Sequence, residues 1–170
     1  IAMALACDPD LVVLDEPTTG LDVTTQEQII ALLIDLRARL GMSMLYVTHD
    51  LGVLAQIADR VGVMYAGYMV EVGPTDELFR RPRHPYAQGL TAAIPRLDGT
   101  VLAEGQQLRG FLMRAELPAG CPFYLRCDYA EPACAAEAQV LEAVGPGRSV
   151  ACRRWRDLAL SCEGIRLPRH

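Results

Sequence analysis

The sequence predicts an α/β fold followed by a small, irregular, cysteine-rich C-terminal extension. Three observations carry this. Two short apolar segments, "LVVL" at 11–14 and "MSMLYV" at 42–47, flank a long stretch with helical periodicity. The order strand, helix, strand, helix is that of a sheet covered by helices on both faces. From Arg80 the texture changes: Pro82, Pro85, Pro95, Pro118, Pro122, Pro132 and Pro146 punctuate a stretch of little periodicity, and four of the six cysteines fall between 121 and 152.

Each element has a local cause. "IAMALACD" at the start is helical in pattern and begins on Ile rather than Met, so the chain reads as a piece of a longer protein. "LVVL" is short and β-branched, bounded by Pro9 and Pro17, and reads as a fully buried parallel strand. Thr24 followed by Glu27 forms a capping box, and Ile29, Leu32, Leu33, Leu36 and Leu40 then make one stripe at helical spacing. Gly41 ends that helix. "MSMLYVTHD" is a second buried strand with polar residues at its C-terminal end, and "LGVLAQIAD" is helical. "RVGVMYAGYMVEVG" reads as two strands turning around Ala66 and Gly67. The boundaries that follow are 1–79 for the α/β part, 80–156 for the extension and 157–170 for a tail. In that tail "LALSCEGIRL" restarts a strand-like pattern near Leu158.

Composition narrows the function. The 170 residues are 51% hydrophobic and 22% charged, which describes a globular chain rather than a disordered one. A net charge of −5 offers no basic excess for nucleic acid. The longest aliphatic run, "IIALLI" at 29–34, falls short of the roughly 18 to 20 residues that span a bilayer. No signal peptide precedes it, so the reading is a soluble protein whose membrane role would come through a partner. Six cysteines without a secretion signal point to thiols or metal ligands rather than disulfides.

The chemistry is concentrated in "LVVLDEPTTGLD" at 11–22. Carboxylates at the C-terminal ends of parallel strands sit where open α/β sheets bind ligands. One can hold Mg²⁺ while its neighbour orients a water toward a phosphate. The plainer alternative is that Asp15 and Glu16 cap the next helix or pair with an arginine. Likewise His49, taken alone, is a surface or cap histidine at a strand end. Followed by "LYVTHDL" at 45–51, however, the segment resembles the nucleotide-binding subunits of ABC transporters. That resemblance implies the C-terminal half of a P-loop NTPase domain, with Asp15 supporting Mg²⁺ and Glu16 as general base for ATP hydrolysis. It further implies that Asp22 lies in the loop crossing a dimer interface and that His49 senses the γ-phosphate. The chain contains no G-x-x-x-x-G-K-[ST] loop and no "LSGGQ"-type segment; both would precede Ile1. By itself this chain is therefore expected to bind ATP weakly and to be inactive.

The second half resembles a narrower group. "RRPRHPYAQGLTAAIP", then "LPAGCPFYLRCDYAEPAC" and "VAC", are similar to the C-terminal extension of oligopeptide, dipeptide and nickel importer ATPases. "TVLAEGQQLRGFLMRAE" at 100–116 departs from that group's pattern, and "RRPR" at 80–83 reads as a solvated charge run. Cys121, Cys127, Cys134 and Cys152, spaced x5, x6 and x17, are either buried small thiols or a clamp for an extension with few large apolar residues. Zinc knuckles and the common ferredoxin spacings are both missing, so spacing names no metal. The resemblance favours a [4Fe–4S] cluster over zinc; Cys7 and Cys162 fall outside the set. It also implies a peripheral subunit on the cytoplasmic face of the inner membrane, working with permease subunits, a second nucleotide-binding domain and, indirectly, a solute-binding protein. The tail would then open a second nucleotide-binding domain. Two rivals are a DNA-repair ATPase of the same superclass and a non-catalytic redox or interaction module built on the cysteines.

Overall fold

The structure is a computed structural model that describes residues 1–94 and 117–162, in two compact units, Ile1–Ala58 and Asp59–His170. The first unit runs α1 (Ala2–Leu5), β1 (Leu11–Asp15), α2 (Val23–Leu40), β2 (Ser43–Val47) and α3 (Leu51–Ile57). β1 and β2 pair in parallel, Leu11 opposite Ser43 and Asp15 opposite Val47. Val12 and Leu14 of β1 pack with Ile30, Leu33, Met42, Val53 and Ile57 in one core. Each such side chain, fully buried, contributes about 1.5–3 kcal/mol.

Three local expectations change here. The strands are parallel but not fully buried: Leu11, Val13, Leu45 and Val47 are 54%, 60%, 54% and 46% exposed. Alternate residues of a strand point to opposite faces, and among the described residues only one face is covered. α2 is capped by Asp22, whose carboxylate accepts from the Thr25 N–H at 3.0 Å and the Thr25 hydroxyl at 2.6 Å, so Thr24 lies inside the helix and no capping box forms. Its buried residues are Ile30 and Leu33, with Ile29 and Leu36 partly buried, while Leu32 and Leu40 face solvent. The stripe is turned by about one residue from the reading by spacing. Gly41 does end α2, at φ 65° with its N–H on the Arg37 carbonyl.

The second unit contains β3 (Arg60–Tyr65), β4 (Tyr68–Pro74), α4 (Thr75–Arg80), α5 (Pro85–Ala92), a 3₁₀ turn at Tyr124–Arg126, α6 (Pro132–Ala136), β5 (Glu142–Gly145) and β6 (Arg148–Val150). The four strands form one antiparallel sheet in the order β3-β4-β6-β5. Ala66 and Gly67 make the β3–β4 turn as expected, at φ 53° and 87°, the left-handed pair that matches the twist of a two-residue hairpin. β5 and β6 carry no periodic signal of their own. They exist because β6 finds a partner edge in β4, Val72 opposite Ser149.

A buried charged hub sits behind that pairing. Glu71 of β4 is 0% exposed and accepts from the N–H groups of Arg83 (2.9 Å) and His84 (2.8 Å) and from Arg148 Nη2 at 2.7 Å. Arg148 also donates to the Arg81 carbonyl. "RRPR" is therefore more than a solvated run: its backbone is tied to this pair, and the Arg83 guanidinium lies 5.1 Å from the Trp155 ring centroid. Residues 158–162 form no strand. Leu160 and Cys162 are buried, and the Cys162 N–H donates to the Arg80 carbonyl at 3.0 Å. The remainder of the tail, 163–170, and the departing segment at 100–116 lie outside the described residues. No helix among the described residues is long and apolar enough to cross a membrane.

Candidate functional site

β1 and β2 end together, and the Glu16 N–H extends their ladder by one bond to the Val47 carbonyl at 2.8 Å. Glu16 then adopts φ 45°, a left-handed conformation uncommon for a residue with a Cβ. Its Oε1 meets His49 Nδ1 at 2.9 Å, and its Oε2 accepts from the Thr19 hydroxyl at 2.9 Å. The hydrogen bond with His49, followed by that from Thr19, holds the Glu16 carboxyl below the usual glutamate range. The same bond holds His49 above the usual imidazole range. Both groups are exposed to solvent. A carboxylate in this state can accept a proton from a water or a hydroxyl.

Asp15 faces the open side of β1, exposed and without a hydrogen bond to its carboxylate among the described residues, which leaves it free to meet a cation. Asp22 is not drawn into the Glu16–His49 pair: both its oxygens are engaged by Thr25, whose hydroxyl and then backbone bonds lower its pKa. Two residues not anticipated complete the arrangement. Thr19 orients Glu16. Asp50 caps α3 by accepting from the Gly52 and Val53 N–H groups at 2.9 and 3.2 Å, while its other oxygen accepts from Gln26 of α2 at 3.2 Å. An aspartate directly before an apolar helical run was a readable cap signal. Nothing in the sequence marked Thr19.

The four candidate thiols of the second unit line one small pocket of about 20 Å³ that opens to solvent. Cys121 is buried; Cys127, Cys134 and Cys152 are half-buried. The Cys121 N–H donates to the Cys134 carbonyl at 2.7 Å, which fixes two of the four side by side. Backbone N–H groups two residues on face three of the sulfurs: Phe123 (with Tyr124) toward Cys121, Tyr129 toward Cys127, Arg154 toward Cys152. Such donors favour thiolates. Burial is nonetheless the largest influence and pushes the thiols up, Cys127 to about 11 and Cys152 to about 12, with repulsion between the neighbouring thiols adding to it. Among the described residues no group of three or more His, Cys, Asp or Glu side chains converges tightly enough to hold a metal ion. Cys7 is exposed and Cys162 lies against the Thr91 hydroxyl at 3.0 Å; neither lines the pocket.

The wall of that pocket includes His84 and Pro85 at the start of α5. Residues 70–134, which contain them and three of the cysteines, match the family described as oligopeptide/dipeptide transporter, C-terminal region. Over 94% of its length the chain is 50% identical to a putative peptide import ATP-binding protein of Brucella ovis. The chain is a relative of peptide-import ATP-binding proteins. A Brucella abortus protein of the same description is 49% identical over 94% of the chain, and a second from Brucella ovis is 45% identical over 91%. The chain spans about half the length of these curated relatives, 49% of each. A solved structure of CbiO1 from Clostridium perfringens, described as part of the ABC transporter complex cbiONQ, shares 35% identity over 44% of this chain and 30% of its own, with a TM-score of 0.42. The family read from the carboxylate and "HPY" motifs is borne out by the matched region and the Brucella relatives, and the mixed α/β class by the elements of the fold.

Proposed function

We propose that this chain is part of the ATP-hydrolysing subunit of a bacterial ABC importer of peptides, with Glu16 as general base and His49 as the group that meets the γ-phosphate. The observation that carries the reading is the Glu16–His49 bond at the ends of two parallel strands, where α/β sheets present catalytic groups. Asp15 would hold Mg²⁺, which when bound neutralises phosphate charge. Asp22 would serve the loop that faces a second nucleotide-binding domain. The uncovered apolar face of β1 and β2 suits a strand designed for cover on both sides, and further chain of the whole protein would supply that cover. Residues 1–79 belong on this reading to the nucleotide-binding domain, 80–156 to the importer-type extension, and 157–170 to the approach to a second domain. Permease subunits would hold the protein at the cytoplasmic face of the membrane. In the complete protein, Glu16→Gln should abolish turnover and leave ATP binding intact. Near-normal hydrolysis by that variant would refute the assignment.

For the extension we propose a [4Fe–4S] cluster on Cys121, Cys127, Cys134 and Cys152. What supports the reading is that all four cysteines line one pocket and that backbone amides face three of the sulfurs, as suits thiolate ligands; the side chains as they stand do not yet converge on a metal, and ligation would have to draw them together. When bound, the cluster would clamp the extension, since ligation energy doubles as folding energy. Complete protein purified without oxygen should be brown, and Ser at any of the four positions should bleach it. A colourless preparation with one zinc per chain, or with four titratable thiols and no metal, would refute it.

A further inference from the structure

Trp155 is the chain's one tryptophan and stands among arginines, in "RRWR" at 153–156. Two guanidinium groups meet its ring. That of Arg156 lies 4.6 Å from the ring centroid, and that of Arg83, carried by the loop ahead of α5, lies 5.1 Å away. Both distances are within the range of a cation–π contact. The backbone N–H of Arg83 donates to both oxygens of Glu71, at 3.0 and 2.9 Å, so the buried Glu71–Arg148 pair holds this stretch of chain in place. The fold therefore gathers two like charges on one indole. The arginines on either side are neutralised: Arg80 by Asp76 (3.3 Å), and Arg148 by Glu71, Arg153 by Glu137 and Arg154 by Glu131 (2.7 Å each). Among the described residues Arg83 and Arg156 meet no carboxylate, that of Asp157 beside Arg156 included. Carboxylates are not scarce, since the chain has 21 acidic residues against 16 basic ones. The indole Nε1 is buried and has no acceptor either. The place is rich in donors and short of acceptors, and two cations held together repel until an anion joins them.

We propose that Arg83, Trp155 and Arg156 form a binding site for one phosphate group, supplied by the headgroup of an anionic phospholipid or by free phosphate. The planar fork of a guanidinium matches the oxygens of phosphate, and two forks can share one such group. Arg156 is exposed and Arg83 and Trp155 are half-buried, so the site opens to solvent. A pair of arginines in a chain of net charge −5 suits a single phosphate and not the repeating backbone of nucleic acid. Tryptophan settles at the headgroup level of a bilayer, and arginines beside it are drawn to an anionic leaflet. The headgroup source rests on the membrane placement proposed above; the phosphate site itself does not.

The test uses the complete protein with three probes: equimolar phosphatidylglycerol–phosphatidylcholine vesicles, vesicles of phosphatidylcholine alone, and inorganic phosphate. Binding is read by co-sedimentation for vesicles and by calorimetry for phosphate. Because a nucleotide site also takes phosphate, the calorimetric signal is read as the difference between parent and variants. The parent should bind the anionic vesicles and not phosphatidylcholine. Arg83→Gln and Arg156→Gln should each weaken binding roughly 5-fold, and Arg156→Lys should retain most of it. Trp155 emission should shift to the blue on binding, a shift that Trp155→Phe lacks. Arg156→Gln, at an exposed position, should melt as the parent does, so its loss of binding cannot be a loss of folding. Phosphate binding with the same variant losses, and no vesicle binding, would keep the site and make free phosphate its ligand. If Arg156→Gln binds both probes as the parent does, the two arginines merely pack on Trp155 and the proposal fails. It fails equally if neither probe binds, or if phosphatidylcholine alone binds as well as the anionic vesicles. None of these outcomes touches the assignment of Glu16.

Discussion

The Glu16–His49 pair and the Glu71–Arg148 pair are both acid–base contacts of short length, 2.9 and 2.7 Å, yet they stand at opposite ends of exposure. His49 and Glu16 are in solvent, joined by one bond, with Thr19 as a second partner of Glu16, whose backbone is strained. Glu71 is sealed in and receives donors from three residues. The first arrangement adds little to stability, because water screens exposed pairs. It leaves its groups free to change partners, which chemistry requires. The second cannot be disturbed without stranding a charge in a low-dielectric interior. Functional groups at the strand ends and structural groups in the sheet use the same residue types and differ in what surrounds them.

The largest expected effect breaks the buried side. Arg148→Ala should destabilise the second unit by about 3–5 kcal/mol, since Glu71 would remain buried without its cation. Chemical denaturation should show it, and a loss below about 1 kcal/mol would mean that Glu71 is protonated or hydrated in the parent. Gly120→Ala should cost about 3 kcal/mol by overpacking. A Cβ there would collide with the carbonyl of Cys134, and the collision would also separate Cys121 from Cys134. On the exposed side, Glu16→Gln should lower turnover of the complete protein about 10²-fold without moving the denaturation midpoint. Gly41→Ala meets no atom within 4 Å and should cost only the backbone penalty of a left-handed residue, about 1 kcal/mol.

The smallest effect is a titration. Glu16 falls below 4.5, so its share of the pair is present above that pH and is lost as pH falls through its lowered midpoint. His49 rises above 6.5, so its share is present below that value and is lost as pH rises through the raised midpoint. The pair is therefore complete between 4.5 and 6.5 and opens on either side. Nuclear magnetic resonance of nucleotide-free protein should place the His49 midpoint above 6.5, and Glu16→Gln should bring it back. An unchanged midpoint in the variant would show that the pair does not form in solution.

What the sequence by itself determined is everything whose cause lies within a few residues. Gly41 stops α2, Ala66 and Gly67 turn the β3–β4 hairpin, and Pro85 after His84 starts α5, because these depend on local φ preferences and local caps. The carboxylate and histidine motifs were legible for the same reason: their residue types and spacing are written along the chain. Tertiary structure alone decided which face of β1 is buried, since periodicity gives alternation but not the side that finds a partner. It turned Arg148 from a surface-type residue into a buried one. It also brought Cys121, Cys127, Cys134 and Cys152 around one space with His84 at its wall. Those outcomes depend on strand pairing between segments as far apart as Glu71 and Val150. No local pattern encodes the closure of a loop that long, because the energy that closes it is burial shared among residues distant in the chain.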